Sequence, residues 1–305
     1  MAGGSRTQHL FVLMFLCLKM RVHCRFLGGH GGTAPTTGMT MCANGEISDL
    51  VSIKKIFFRK LNSFLIPINI KIFDFLINFV PNKLCVMSDK DKIYSPEEEK
   101  LNIISHAVGI AGAVAVGAYF MYMVIAKGGD AWSIASMALY IFGMLGSFVC
   151  STAYHSSRPG TKARGVLRKF DHAAIYWYIA GCYSPITLIA MRDVGYWGWG
   201  IFIFCWLCAI VGTIVTVNTM KKHNRIETLC YVLMGLTLVV AMQQFYNAVP
   251  LAVFLWVVGE GVAYIIGAVL YSLHKIKYIH SIFHLFVLVG TLCHMMAVWK
   301  VLEIM

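Results

Sequence analysis

Three histidines and one carboxylate stand out against an apolar chain: His155, His280, His284 and Asp171. They occur in Ser151-Thr-Ala-Tyr-His155, Phe170-Asp171-His172 and His280-Ser-Ile-Phe-His284, each where a long apolar run meets a basic loop. Three imidazoles are a common catalytic zinc set, because they leave one coordination position open to water. Zinc brings the pKa of that water down to about 7. Asp171 is placed to orient or deprotonate it, or to fix the tautomer of a ligating histidine. The Ser151 hydroxyl is placed to donate to a developing oxyanion. The plainer reading is a set of polar side chains close to water, and an H-x-x-x-H pair is by itself a weak signal. What favours a metal is that His155 and Asp171 fall at the same depth, since ionisable groups in a membrane are costly and tend to be functional.

The elements that must position these groups are membrane helices. The chain has 305 residues, of which 58% are hydrophobic and 13% charged. Ordinary soluble domains carry about 25% charged residues. The net charge of +12 does not imply nucleic acid, because basic loops on the cytoplasmic side of a membrane account for much of it. Ten cysteines are scattered along the chain, several of them (Cys150, Cys182, Cys205, Cys208, Cys293) inside apolar runs. They are expected to act as small hydrophobes, with no zinc ribbon or thioredoxin-like centre.

Apolar spans are read at 103–126, 131–154, 171–191, 195–218, 228–247, 250–273 and 280–300. Each approaches the ~20 residues that cross the hydrocarbon, and without β alternation they should be helices. The fold class is therefore all-α, a seven-transmembrane helix bundle. Arg158, Lys162, Arg164, Arg168 and Lys169 fill the second loop, Lys221, Lys222 and Arg225 the fourth, and Lys275 and Lys277 the sixth. The other loops are neutral or balanced, as with Lys127 and Asp130, or Arg192 and Asp193. The positive-inside rule then puts the N-terminus in the cytoplasm and the C-terminus outside. His155, Asp171 and His280 fall within about one turn, ~5 Å, of the cytoplasmic boundary, and His284 lies one turn deeper on the same helix face as His280.

Residues 1–86 read differently. Leu10–Leu18 is apolar but short, residues 28–45 are Gly/Thr-rich, and 50–86 are dense in Ile, Lys, Phe and Asn with Pro67 and Pro81. Those residue types have AT-rich codons, so the segment reads as translated upstream DNA before a start at Met87. The competing reading is a genuine, poorly structured tail. The domain proper is 87–305 in either case.

Several residues receive structural readings. His106 is expected to support the site or simply to hydrogen-bond. His172 points about 100° away from Asp171. His294 lies roughly 15 Å deeper than His284 and is expected to make a helix–helix hydrogen bond. Tyr183-Ser-Pro185 is expected to kink its helix. Tyr196-Trp197-Gly-Trp199 fits an interfacial belt at the outer face.

The ordered motifs resemble the hemolysin III family, which is related to the progestin and adipoQ receptors. They are Glu99-x-x-Asn102-x-x-Ser105-His106, Ser151-x-x-x-His155, Asp171-His172-x-x-Ile175-Tyr176, Ala180-Gly181-x-Tyr183-Ser184-Pro185, Gly261-x-x-Tyr264-x-x-Gly267-x-x-x-Tyr271 and His280-x-x-x-His284. The resemblance runs over 95–300. It implies seven helices with a zinc ion near the cytoplasmic face, ligated at His155, His280 and His284, with Asp171 acting through bound water and Ser151 beside it. The wider superfamily includes alkaline ceramidases, and the bacterial branch takes its name from haemolytic activity. Glu260 departs from the pattern, which favours a small residue there; it is read as neutral and hydrogen-bonded or as lining a cavity.

Three functions compete on these grounds. One is a zinc-dependent hydrolase of a lipid amide or ester. The second is a pore-forming, haemolytic protein that permeabilises membranes. The third is a receptor or regulator with a structural zinc. Membrane lipids are the expected partners, with a small-molecule or lipid substrate, no nucleic acid, and the oligomer left open. The expected location is a bacterial inner or plasma membrane.

Overall fold

The computed structural model describes residues 94–219, 224–272 and 276–305. The readings of residues 1–86 and of the Met87 start lie outside these, as do Lys221, Lys222 and Lys275. The described residues are all-helical, with no strand among them. The helices are α1 (Pro96–Ala126), α2 (Ala131–Ser156), α3 (Lys162–Pro185, continued by a π-helical turn Ile186–Ala190), α4 (Trp197–Thr219), α5 (Asn224–Gly235), α6 (Thr237–Val240), α7 (Met242–Ala248), α8 (Leu251–Ser272) and α9 (Ile279–Ile304). Six of them are long and apolar enough to cross a membrane: α1, α2, α3 with its π turn, α4, α8 and α9.

The helix starts follow from capping chemistry. Ser95 and Glu98 form a reciprocal capping box, Pro96 occupies the first turn, and Glu97, Glu98 and Glu99 complement the helix dipole. Asp130 caps α2, accepting from the Ser133 amide at 2.9 Å and the Ser133 hydroxyl at 2.7 Å. Thr161 caps α3 through the Arg164 amide. The last of these shifts a boundary. The expected span began at 171, but α3 starts at Lys162, so Arg164, Arg168 and Lys169 lie on its first turns. A helix N-terminus disfavours cations, yet Arg164 is held there by Glu99 of α1 and by the carbonyls of Tyr154 and Ser157.

The segment expected as one span at 228–247 is divided into α5, α6 and α7. The break at Leu236 is where Tyr183 intervenes: its hydroxyl donates to the Gly235 carbonyl at 2.7 Å and accepts from the Leu238 amide at 3.1 Å. A side chain inserted into the backbone ladder breaks a helix in this way. Pro185 does the same within α3. It lacks an N–H, and the π turn begins directly after it.

Two apolar cores hold the bundle. One joins α3, α4 and α5–α8 around Phe245, Val253, Met191 and Cys205, reaching Ala297 and Val301 of α9. The other joins α1, α2, α3 and α9 around Tyr140, Met144, Phe148, Val298 and Leu302. Glycine lets α2 and α3 touch: a Cβ on Gly143 would overlap the Trp177 carbonyl, and one on Gly181 would lie 3.0 Å from the Leu139 carbonyl. Outward faces are apolar and exposed, as at Val108, Leu207, Val211 and Leu255. A soluble surface rarely carries such an extensive apolar face. Cys205-Trp-Leu-Cys208 is a C-x-x-C pair, but both are free thiols in apolar α4, which leaves them as packing residues.

Candidate metal centre

The end of α2, the start of α9 and the start of α1 meet at one end of the bundle. His155 is on the last turn of α2, and His280 and His284 are on the first turns of α9. His155 and His284 are each 3% exposed. One ring nitrogen from each of the three lies within 4.8 Å of the others. Nε2 of His155 and Nε2 of His280 are 3.4 Å apart. Two nitrogens on one tetrahedral zinc, each about 2.0–2.1 Å from it, would be roughly 3.4 Å apart. The donor set and its spacing therefore fit a zinc ion.

For two of the rings, the partner of Nδ1 explains why Nε2 faces inward. Glu99 Oε2 lies 2.6 Å from Nδ1 of His155, so Nδ1 carries the proton and Nε2 keeps a lone pair. The other Glu99 oxygen is bound by Arg164, which keeps the carboxylate ionised and fixed. Ser105 gives its own proton to the Asn102 carbonyl at 2.9 Å. Its oxygen, 3.3 Å from Nδ1 of His284, therefore accepts from that ring. The His280 ring stacks on Tyr94 at 4.9 Å.

Helix α9 is registered against α1 by side chains. Glu98 Oε1 accepts from the Tyr278 amide at 2.7 Å, and Asn102 Oδ1 accepts from the Ser281 hydroxyl at 2.7 Å. Tyr278 has φ 62°, a left-handed conformation that is unfavourable for a bulky residue. The bond to Glu98 holds it there, directly ahead of His280.

The expected site residues are distributed unevenly. His155, His280 and His284 are together. Ser151 is buried one turn before His155 on α2. Asp171 is half-buried on α3, in electrostatic reach of Cys150 and Tyr231. His106 is buried with its ring edge-on to His284 at 4.1 Å. The supporting roles of Glu98, Glu99, Asn102 and Ser105 were missed. A signal for them was present, because 98, 102 and 105 recur at helical spacing as polar positions entering an apolar helix. His294 makes the expected helix–helix hydrogen bond, from Nδ1 to Glu260 Oε2 at 2.8 Å.

Sequence comparison agrees with this architecture. Residues 94–295 match the family described as "Haemolysin-III related". The chain is 32% identical to "Hemolysin-3" of Bacillus cereus, over 64% of this chain and 87% of that relative. It is 30% identical to the "Hemolysin-3 homolog" of Bacillus subtilis (strain 168), over 65% of this chain and 92% of the relative. It is also 28% identical to "Monocyte to macrophage differentiation factor" of Homo sapiens, over 67% of this chain and 84% of the relative. The chain belongs to the haemolysin-III related family and is a multi-pass membrane protein.

Proposed function

We propose that this protein is a zinc-dependent hydrolase of a lipid amide or ester, with its site at the cytoplasmic face of a bacterial inner or plasma membrane. The observation that carries the reading is the pair of Nε2 atoms 3.4 Å apart, each ring backed by its own helix. His155, His280 and His284 would hold the metal, while Glu99 and Ser105 keep two of the rings in the ligating tautomer. When bound, zinc supplies Lewis-acid polarisation and lowers the pKa of water to about 7. Asp171 accepts the proton of the attacking water on a carboxylate oxygen. Ser151 donates a hydrogen bond to the carbonyl oxygen as charge develops there. An open groove lined by Glu97, Lys100, Leu101, Ile104 and Tyr278 runs beside the start of α9.

The same reading makes seven crossings of the chain. Residues 224–248, the stretch of α5–α7, would reach roughly 37 Å if helical throughout, enough to span. With α1 entering from the cytoplasm, Arg158 and the basic first turns of α3 face that side.

The test uses detergent-purified full chain loaded with zinc and a panel of lipid amides and esters. Turnover lost in Asp171→Asn with zinc retained supports the hydrolase. Zinc that raises stability with no turnover on any substrate would make the metal structural and the protein a receptor or regulator. Dye release from liposomes that Asp171→Asn leaves unchanged would favour a pore.

A further inference from the structure

A second group of ligating side chains lies deeper in the bundle, where the proposed hydrolase has no use for it. Cys182 of α3, Glu260 of α8 and His294 of α9 each offer one ligand atom, and these atoms lie within 4.8 Å of one another. Cys182 is 6% exposed and His294 2%. His294 is roughly 15 Å along α9 from His284.

The group is under-satisfied as it stands. His294 uses Nδ1 for Glu260 and its ring interacts with the Cys182 thiol, while its buried Nε2 has no geometrically formed hydrogen bond among the described residues. The ring of Tyr140 packs 5.2 Å from that of His294, and its fully buried hydroxyl likewise has no partner among them. Buried polar atoms are ordinarily paired, so an unpaired Tyr140 hydroxyl and an unpaired Nε2 beside a thiol and a carboxylate mark a set able to take a ligand.

We infer that Cys182, Glu260 and His294 hold a second divalent cation of the zinc class. One sulfur, one imidazole nitrogen and one carboxylate oxygen form a set that borderline and soft metals prefer over magnesium or calcium. Ligands sharing one zinc stand about 3.3–3.8 Å apart, so small side-chain rotations close the present spacing. On binding, the thiol gives up its proton to solvent and becomes a thiolate. Thiolate and carboxylate then neutralise the dication, which leaves an uncharged unit inside the bundle, the arrangement hydrocarbon tolerates best. The three ligands come from three helices, so the ion would cross-link α3, α8 and α9.

Cobalt is the probe, because a thiolate ligand gives Co2+ a sulfur-to-metal charge-transfer band that an all-histidine centre lacks. Full chain titrated with Co2+ in detergent is expected to take up two ions per protomer and to show this band. Cys182→Ser, nearly isosteric, should abolish the band and leave one ion. Glu260→Gln should weaken the second ion at least tenfold. His155→Ala should remove the other ion and keep the band, so the two sites fail independently. Cys205→Ser with Cys208→Ser should leave the band unchanged, excluding the C-x-x-C pair as its source. Absence of the band in folded parent protein, or its survival in Cys182→Ser, would overturn the inference.

Discussion

Glu99 Oε2 and Nδ1 of His155 are 2.6 Å apart, although 56 residues separate them in the chain. This contact decides which nitrogen of His155 is free. An ionised carboxylate accepts only, so the shared proton sits on Nδ1 and the lone pair turns to the histidine cluster. Glu99→Gln keeps an oxygen but loses the charge. Zinc affinity is expected to fall about 10–100-fold, as for other supporting partners of metal ligands. Competition with a chromophoric chelator measures it.

Bound metal should also stabilise the fold. At zinc concentrations 100-fold above Kd, linkage gives about 2.7 kcal/mol. The thermal transition of parent protein should rise with zinc and fall on adding chelator. In His284→Ala the part of this response due to the three-histidine centre should vanish. A zinc response unchanged in that variant would contradict the three-histidine centre.

The Glu98 carboxylate has two tasks, closing the capping box of α1 and holding Tyr278 in its left-handed conformation. Glu98→Ala removes both. Loss of about 1 kcal/mol is expected from the cap, with a further loss of zinc affinity as His280 comes adrift. Tyr278→Gly in the Glu98→Ala background should restore part of the stability, because glycine adopts positive φ without strain. Thermal melts of the single and double variants separate the two contributions.

Asp130 offers a pH test away from the metal. It accepts from the Ser133 hydroxyl and amide and pairs with Arg192 at 2.6 Å, and these contacts hold its pKa below the usual carboxylate range. A depressed folded-state pKa stabilises above the unfolded value, near 3.9, and the benefit disappears as pH falls through the folded value. Parent protein should therefore lose stability on acidification below about pH 4 more steeply than Asp130→Asn, which still caps the helix. Melts across that range compare them, and high salt should shrink the difference because Asp130 is exposed.

Where α2 and α3 touch, Gly143→Ala should cost about 1–3 kcal/mol, since the added methyl meets backbone that cannot rotate away. Gly109→Ala meets only the Phe148 ring and should cost less. Denaturant titration of both variants in detergent would order them.

The histidines were legible because a polar side chain is conspicuous in an apolar run, and loop charges set their common depth. Glu99 was not, because three successive glutamates after a serine read equally well as a solvated helix start. The beginning of α3 was hidden by its basic residues, whose partner Glu99 is supplied by another helix. The division of 224–248 was invisible for a related reason. Leu236 sits in an ordinary hydrophobic window, and what interrupts the helix there is the hydroxyl of Tyr183, a residue about fifty positions upstream. Periodicity reports what a segment wants by itself; it is silent on what a distant side chain does to it.

The three-histidine centre draws on α1, α2 and α9, the earliest and the latest helices described. During synthesis, Glu99 and His155 wait in the membrane while more than a hundred further residues emerge. The pocket exists only once the final helix has slotted beside the first, with Ser281 reaching Asn102. On the proposed metal reading, capture of the ion would be a closing event in biogenesis: a prematurely terminated chain keeps its opening helices but lacks His280 and His284.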